Sequence, residues 1–102
     1  MSKDFDCLAA LRALGEPHRI RLLRLLLTQA HSVNHLAESL NISQYNVSRH
    51  LKVLRRARLV ESVQDGQQRI YSLAESFRER LGADGHILDL GCCQFDFRKL
   101  PE

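Results

Sequence analysis

The chain has 102 residues, 44% of them hydrophobic and 26% charged, with a formal net charge of +3. That is the length and balance of one globular domain with a thin core, which dimerisation would help to stabilise. A membrane span is not expected, because the longest apolar stretch, Leu22 to Leu27, is short and interrupted by Arg24. The start, Met1-Ser2-Lys3-Asp4-Phe5-Asp6, carries acidic residues and no apolar core, so it does not read as a secretory signal. A cytoplasmic, reducing setting is expected, in which Cys7, Cys92 and Cys93 are free thiols or ligands.

Within residues 5–14, Leu8, Leu11 and Leu14 recur at helical spacing, and Gly15 ends the segment. Pro17 suits the first turn of the next helix, where its missing N–H costs nothing. Residues 18–28 are dense in leucine and predict a buried central helix. Ser32 reads as the N-cap of a short helix over 33–40, and Ser43 as the cap of a longer one from Gln44 to about Ala57. Only Asn41-Ile42-Ser43 joins them, which is the helix-turn-helix arrangement. Two β-prone runs, 59–64 and 67–73, flank Asp65-Gly66 and predict a hairpin with a type I′ turn. A hairpin directly behind a helix-turn-helix is a wing. A last helix is predicted over 74–81, stopped by Gly82-Ala83-Asp84-Gly85. In the rest of the chain, Ile87-Leu88-Asp89-Leu90 suits a strand or an extended arm. The fold class is therefore mainly α with a small β-hairpin, a homodimeric winged helix-turn-helix. Residues 1–81 read as the DNA-binding and dimerisation domain, and 82–102 as a C-terminal tail.

From Asn41 to Val60 there is no Asp or Glu, but there are Arg49, Lys52, Arg55, Arg56 and Arg58. With Val47 facing inward, Leu51 and Leu54 follow at i+4 and i+7. The opposite face then collects Tyr45, Arg49, Lys52 and Arg56, with Asn46 and Ser48 at its edges. A helix that merely faced solvent would mix Glu with its Lys and Arg. Arg bonds two acceptors of guanine, Asn bonds adenine in two places, and Ser, Tyr and Lys hold phosphates. Ser43 and Gln44 at the helix start, and Gln68 and Arg69 in the wing, complete the set expected to touch double-stranded DNA. One such helix covers a few base pairs, so a two-fold dimer on an inverted-repeat operator is expected. DNA binding of this kind needs no cofactor. His50 falls toward the buried edge and reads as a hydrogen-bonded structural histidine.

These residues resemble a known family. Gly15-Glu16-Pro17-His18-Arg19-Ile20-Arg21-Leu22-Leu23 is similar to the opening helix of the ArsR/SmtB-type repressor domain. Ser32 to Ser43 with Val47-Ser48-Arg49-His50-Leu51-Lys52-Val53-Leu54 resembles its helix-turn-helix, and Leu59-Val60, Gly66, Arg69 and Tyr71 its wing. The resemblance covers about residues 5–80. It implies a homodimer joined through its first and last helices. It also implies a repressor that leaves its operator when a metal, metalloid or redox signal arrives. The family's sensors are not matched. Ser32 and Asn34 stand where arsenic-sensing members carry Cys-x-Cys, and Asp84-Gly85-His86 only faintly echoes the ligands of its zinc sensors.

The inducer must be argued from this chain's own cysteines. Cys92 and Cys93 follow Gly91, and Cys7 completes a three-sulfur set if the tail folds back on the first helix. Thiolates suit trivalent arsenic or antimony and, less well here, zinc or cadmium. A dithiol that oxidises or takes up sulfur is the alternative. His31 and His35 straddle the cap Ser32 and do not read as a metal pair. Residues 86–92 resemble the first glycine-rich motif of methyltransferases, without the further glycines or the domain such chemistry needs. No nucleophile with a base, and no phosphate-cradling loop, marks an enzyme. A winged-helix adaptor that binds protein in place of DNA is the rival class.

Overall fold

The computed structural model describes residues 5–100; what was read into residues 1–4, 101 and 102 lies outside the described residues. Four helices come first in the element order, with one short strand among them: α1 (Cys7–Leu14), α2 (Pro17–Thr28), β1 (His31–Ser32), α3 (Val33–Leu40) and α4 (Gln44–Arg56). Then come β2 (Val60–Asp65), β3 (Gln68–Leu73), α5 (Glu75–Arg80), β4 (Ile87–Asp89) and β5 (Gln94–Asp96).

Each of the first four helices is started by a side chain that satisfies an orphan backbone N–H. Asp6 accepts from Ala9, Glu16 from Arg19, Ser32 from His35 and Ser43 from Asn46, all at 3.0–3.1 Å. Helix α3 closes on Asn41 in the left-handed region, at φ 57°. This lets the chain turn into α4 within three residues. Helix α4 ends on Arg58 at φ 64°, with the Leu59 N–H donating back to the Leu54 carbonyl at 2.9 Å.

One apolar core runs under all of this. Leu22 and Leu23 of α2, Leu36 of α3, and Val47, Leu51 and Leu54 of α4 are fully buried. Strands β2 and β3 pair antiparallel from Val60↔Leu73 to Asp65↔Gln68. Strand β1, not foreseen in the sequence, adds a third strand through His31↔Tyr71 and Ser32↔Ile70.

Four expectations need correction. In α1 the buried side is Ala10, Ala13 and Leu14, while Leu8 is 60% and Leu11 38% exposed. The small alanines let α1 lie close to the core, and the bulkier leucines point away. The wing turn is displaced by one residue: Asp65 pairs with Gln68, so the two-residue loop is Gly66-Gln67. Positive φ is needed only at Gly66 (63°), the pattern of a type II′ turn with glycine first. The last helix is shorter than expected, Glu75–Arg80, with Ala74 before it and Leu81 already extended. For 87–90 the strand reading holds and the arm does not, and the tail as a whole is packed into the domain. Strands β4 and β5 form a hairpin, Ile87↔Asp96 to Asp89↔Gln94, and Leu88, Leu90 and Phe97 join the main core. The Phe97 ring lies 6.2 Å from that of Phe77. Arg24 holds this end by donating to the carbonyls of Phe97 (2.8 Å) and Leu100 (2.5 Å). The packing therefore runs across the expected boundary at 81/82.

Candidate functional site

Helix α4 presents the outward face expected of it. Val47, Leu51 and Leu54 have no exposed surface, while Ser43, Gln44, Tyr45, Asn46, Ser48, Arg49, Lys52 and Arg56 are all exposed. Tyr45 is 72% exposed, and the Arg49 guanidinium lies 5.8 Å from its ring centroid. That contact limits the rotamers of a side chain otherwise free in solvent. Wing residues Gln68 and Arg69 are exposed on β3, and Arg69 donates across the ladder to Ser62 Oγ at 3.0 Å. A cleft of about 380 Å³ lies between wing and helices, lined by Asn34, Gln44, Ser48, Gln67, Gln68 and Arg69, among others. Gln67 lies beside Gln68 and Arg69 at the wing tip as expected, while Asn34 was missed as a member of this surface. The signal for Asn34 was its place in the first turn of α3, two residues after the cap.

His50 is half-buried and accepts from Arg19 Nη1 at 3.3 Å on its Nδ1, as a structural histidine should. Its ring stacks on that of His18, centroids 5.4 Å apart. Burial holds its pKa below the ordinary value, helped by Arg19, His18 and Arg49 and opposed by Glu16. For Glu16 burial pushes upward, but hydrogen bonds from His18 and from backbone N–H groups outweigh it and leave the pKa lowered. Glu16, His18 and His50 are the one group of three such donors found close together among the described residues. His31 and His35 also stack, at 4.6 Å, so they do share a face across the cap.

The tail does fold back onto the first helix. Cys7, the first residue of α1, and Cys92, in the β4–β5 turn, are joined as a disulfide with Cα atoms 6.2 Å apart. Gly91, at φ 93°, shapes the turn, and the Leu90 N–H donates to the Cys93 carbonyl at 2.9 Å. Cys92 is exposed, and Cys93 is half-buried with a free thiol. This corrects the expectation of three free thiols: the fold brings Cys7 and Cys92 within bonding reach, and only Cys93, on the adjacent residue, keeps a free thiol.

A profile described as "Bacterial regulatory protein, arsR family" matches residues 16–62, from the cap of α2 into the first wing strand. HlyU from Vibrio cholerae superposes with a TM-score of 0.66 and 32% identity, over 74% of this chain and 84% of that one. The chain belongs to the ArsR family. The HTH-type transcriptional regulator Rv0081 of Mycobacterium tuberculosis is 42% identical over 64 residues, 62% of this chain and 56% of that protein. The chain thus spans little more than half the length of such curated relatives. Mb0332 from Mycobacterium bovis, a homodimeric winged helix-turn-helix DNA-binding domain, aligns at TM-score 0.63 with 26% identity, over 65% of this chain and 61% of that one. Within the ArsR family fold, α3 and α4 are the helix-turn-helix and β2–β3 the wing. No helix among the described residues is long and apolar enough to cross a membrane.

Proposed function

We propose that this ArsR-family chain is a homodimeric DNA-binding repressor that occupies an inverted-repeat operator and is released through its cysteines. The observation that carries the DNA reading is the outer face of α4: every residue expected to touch DNA is exposed, no acidic residue lies among them, and the wing cleft adjoins them. Dimerisation is supported by the exposed Leu8 and Leu11 on α1, an apolar pair that a partner's first helix would cover. No enzyme activity is part of this reading.

For the signal, the leading inducer is trivalent arsenic or antimony, with zinc or cadmium as weaker candidates. The donor set fits in part: reduction of the Cys7–Cys92 bond sets free two thiols at one place, with Cys93 next in the chain. A thiol switch is the second reading, favoured by the bond itself. There, Cys7 and Cys92 lose two electrons and two protons to a peroxide or a polysulfide, which is reduced.

The experiment is operator binding by fluorescence anisotropy with the reduced protein and its own upstream DNA. Specific binding that arsenite or antimonite reverses supports the leading reading, and reversal by peroxide or polysulfide alone supports the second. The Cys92→Ser/Cys93→Ser variant should bind DNA as before and ignore the inducer. Failure to bind duplex DNA above the nonspecific level would sink the repressor reading in favour of an adaptor. Release of the double variant at wild-type inducer concentrations would remove the tail from the sensor.

A further inference from the structure

Glu16, His18 and His50 come from two helices but converge on one point. One carboxylate oxygen and one nitrogen from each ring all lie within 4.8 Å of one another, and all three residues are half-buried. Glu16 is held in place because its Oε1 caps α2 by accepting from the Arg19 N–H at 3.1 Å. Its Oε2 is turned to His18 Nδ1 at 3.0 Å. The His50 ring, 32 residues further on than His18 and part of α4, lies nearly parallel to that of His18, at 16°.

Two imidazoles and a carboxylate are the donors that zinc, cobalt and nickel ions take. Around a tetrahedral ion with bonds of about 2.1 Å, donors stand about 3.4 Å apart. The three groups therefore need to close by little more than about 1 Å. We infer that Glu16, His18 and His50 form a divalent transition-metal site that ties the start of α2 to the recognition helix α4. Water fills the fourth position.

Arg19 decides how the site works. It donates to Nδ1 of His50, which puts that ring's own proton on Nε2 and leaves neither nitrogen open. A cation must therefore displace Arg19 from His50. Once displaced, Arg19 still has two acceptors, since its Nε donates to the Ala13 carbonyl at 2.6 Å and Nη2 to the Arg12 carbonyl at 3.4 Å. Binding exchanges a hydrogen bond between α2 and α4 for a metal bridge, one residue from Arg49. The site is built without sulfur and stands or falls independently of the cysteines.

Cobalt(II) titration followed by absorption tests this on the whole reduced protein. One equivalent should bind with visible d–d bands and without the strong near-ultraviolet thiolate bands that Cys7, Cys92 or Cys93 would give. His18→Gln and Glu16→Gln should each weaken binding at least tenfold. Glutamine at 16 keeps an oxygen to cap α2, and melting of the metal-free variants checks that both are folded. His35→Gln should leave the affinity unchanged. In the unaltered protein, zinc should shift the ring resonances of His18 and His50, a readout that needs no variant. No cobalt binding, thiolate bands alone, wild-type affinity in His18→Gln, or zinc shifts confined to His31 and His35 would overturn the inference.

Discussion

At the scale of single residues, α4 divides its outward side chains by what each can recognise. Arg49 is positioned against Tyr45 and lies in the first half of the helix, the part that would meet base edges if α4 enters the major groove as proposed. Arg49→Ala should cost about 1–3 kcal/mol of operator binding and relax preference at one base pair. Lys52→Ala and Arg56→Ala should weaken all duplexes alike and lower the salt slope by about one each. Anisotropy titrations on operator and scrambled DNA at several salt concentrations separate the two behaviours. His50 gives a pH signature of the metal-free protein. Its pKa is lowered by burial first, then by Arg19, His18 and Arg49, against the pull of Glu16. Just below pH 6.5 the folded state therefore binds fewer protons than the unfolded chain, and stability falls with pH from there to the folded pKa. Denaturant melts should show that slope in the wild type and less of it in His50→Gln. The outward set of α4 was legible because it follows from a 3.6-residue period and an absence of acids. The convergence of Glu16, His18 and Arg19 on His50 was not, because nothing local records a contact across 31 residues.

At the scale of elements, caps and turns carried most of the information. Ser32, Ser43 and Pro17 marked helix starts because few residues can accept the first N–H groups or go without one. The C-terminal end of α4 was less legible, since the left-handed position that glycine commonly fills is held here by Arg58. The hydroxyl of Ser76 donates to the Arg58 carbonyl and helps to fix that turn. Arg58→Gly should relieve the left-handed strain and raise stability by about 0.5–1 kcal/mol, less the entropy that glycine adds to the unfolded chain. A urea melt checks this, and a clear loss of stability would show that the arginine side chain contributes more than its backbone costs. The wing was placed correctly and its turn was not. Asp-Gly reads as the two central residues, yet the pairing of Asp65 with Gln68 moves the loop on by one.

At the scale of the molecule, the tail was the least legible part. Its sequence left a strand and an arm both open for 87–90, because its apolar residues, among them Ile87, Leu88, Leu90, Phe95 and Phe97, fall in two runs too short to signal a hairpin by period alone. Only the finished core, with Phe77 waiting for a partner, makes sense of them. Phe97→Ala should destabilise the whole domain by about 3–5 kcal/mol. Its melt should stay a single transition, since one core includes the tail. Two separate transitions would mean that the first 81 residues fold by themselves.

The bond between Cys7 and Cys92 also changes the topology of the chain. It joins residues 85 apart, so all five helices and the wing lie inside one covalent ring. Closing a ring of that size removes freedom from the unfolded chain worth about 4–5 kcal/mol. The melting temperature should then differ between the oxidised and reduced forms by on the order of 20 °C. A protease that nicks the exposed wing tip at Gly66 would open the ring without dividing the molecule. The two fragments would travel together on a gel until a reductant parted them. By reciprocity, a fold that holds the two sulfurs together favours the bond by the same free energy that the bond lends the fold.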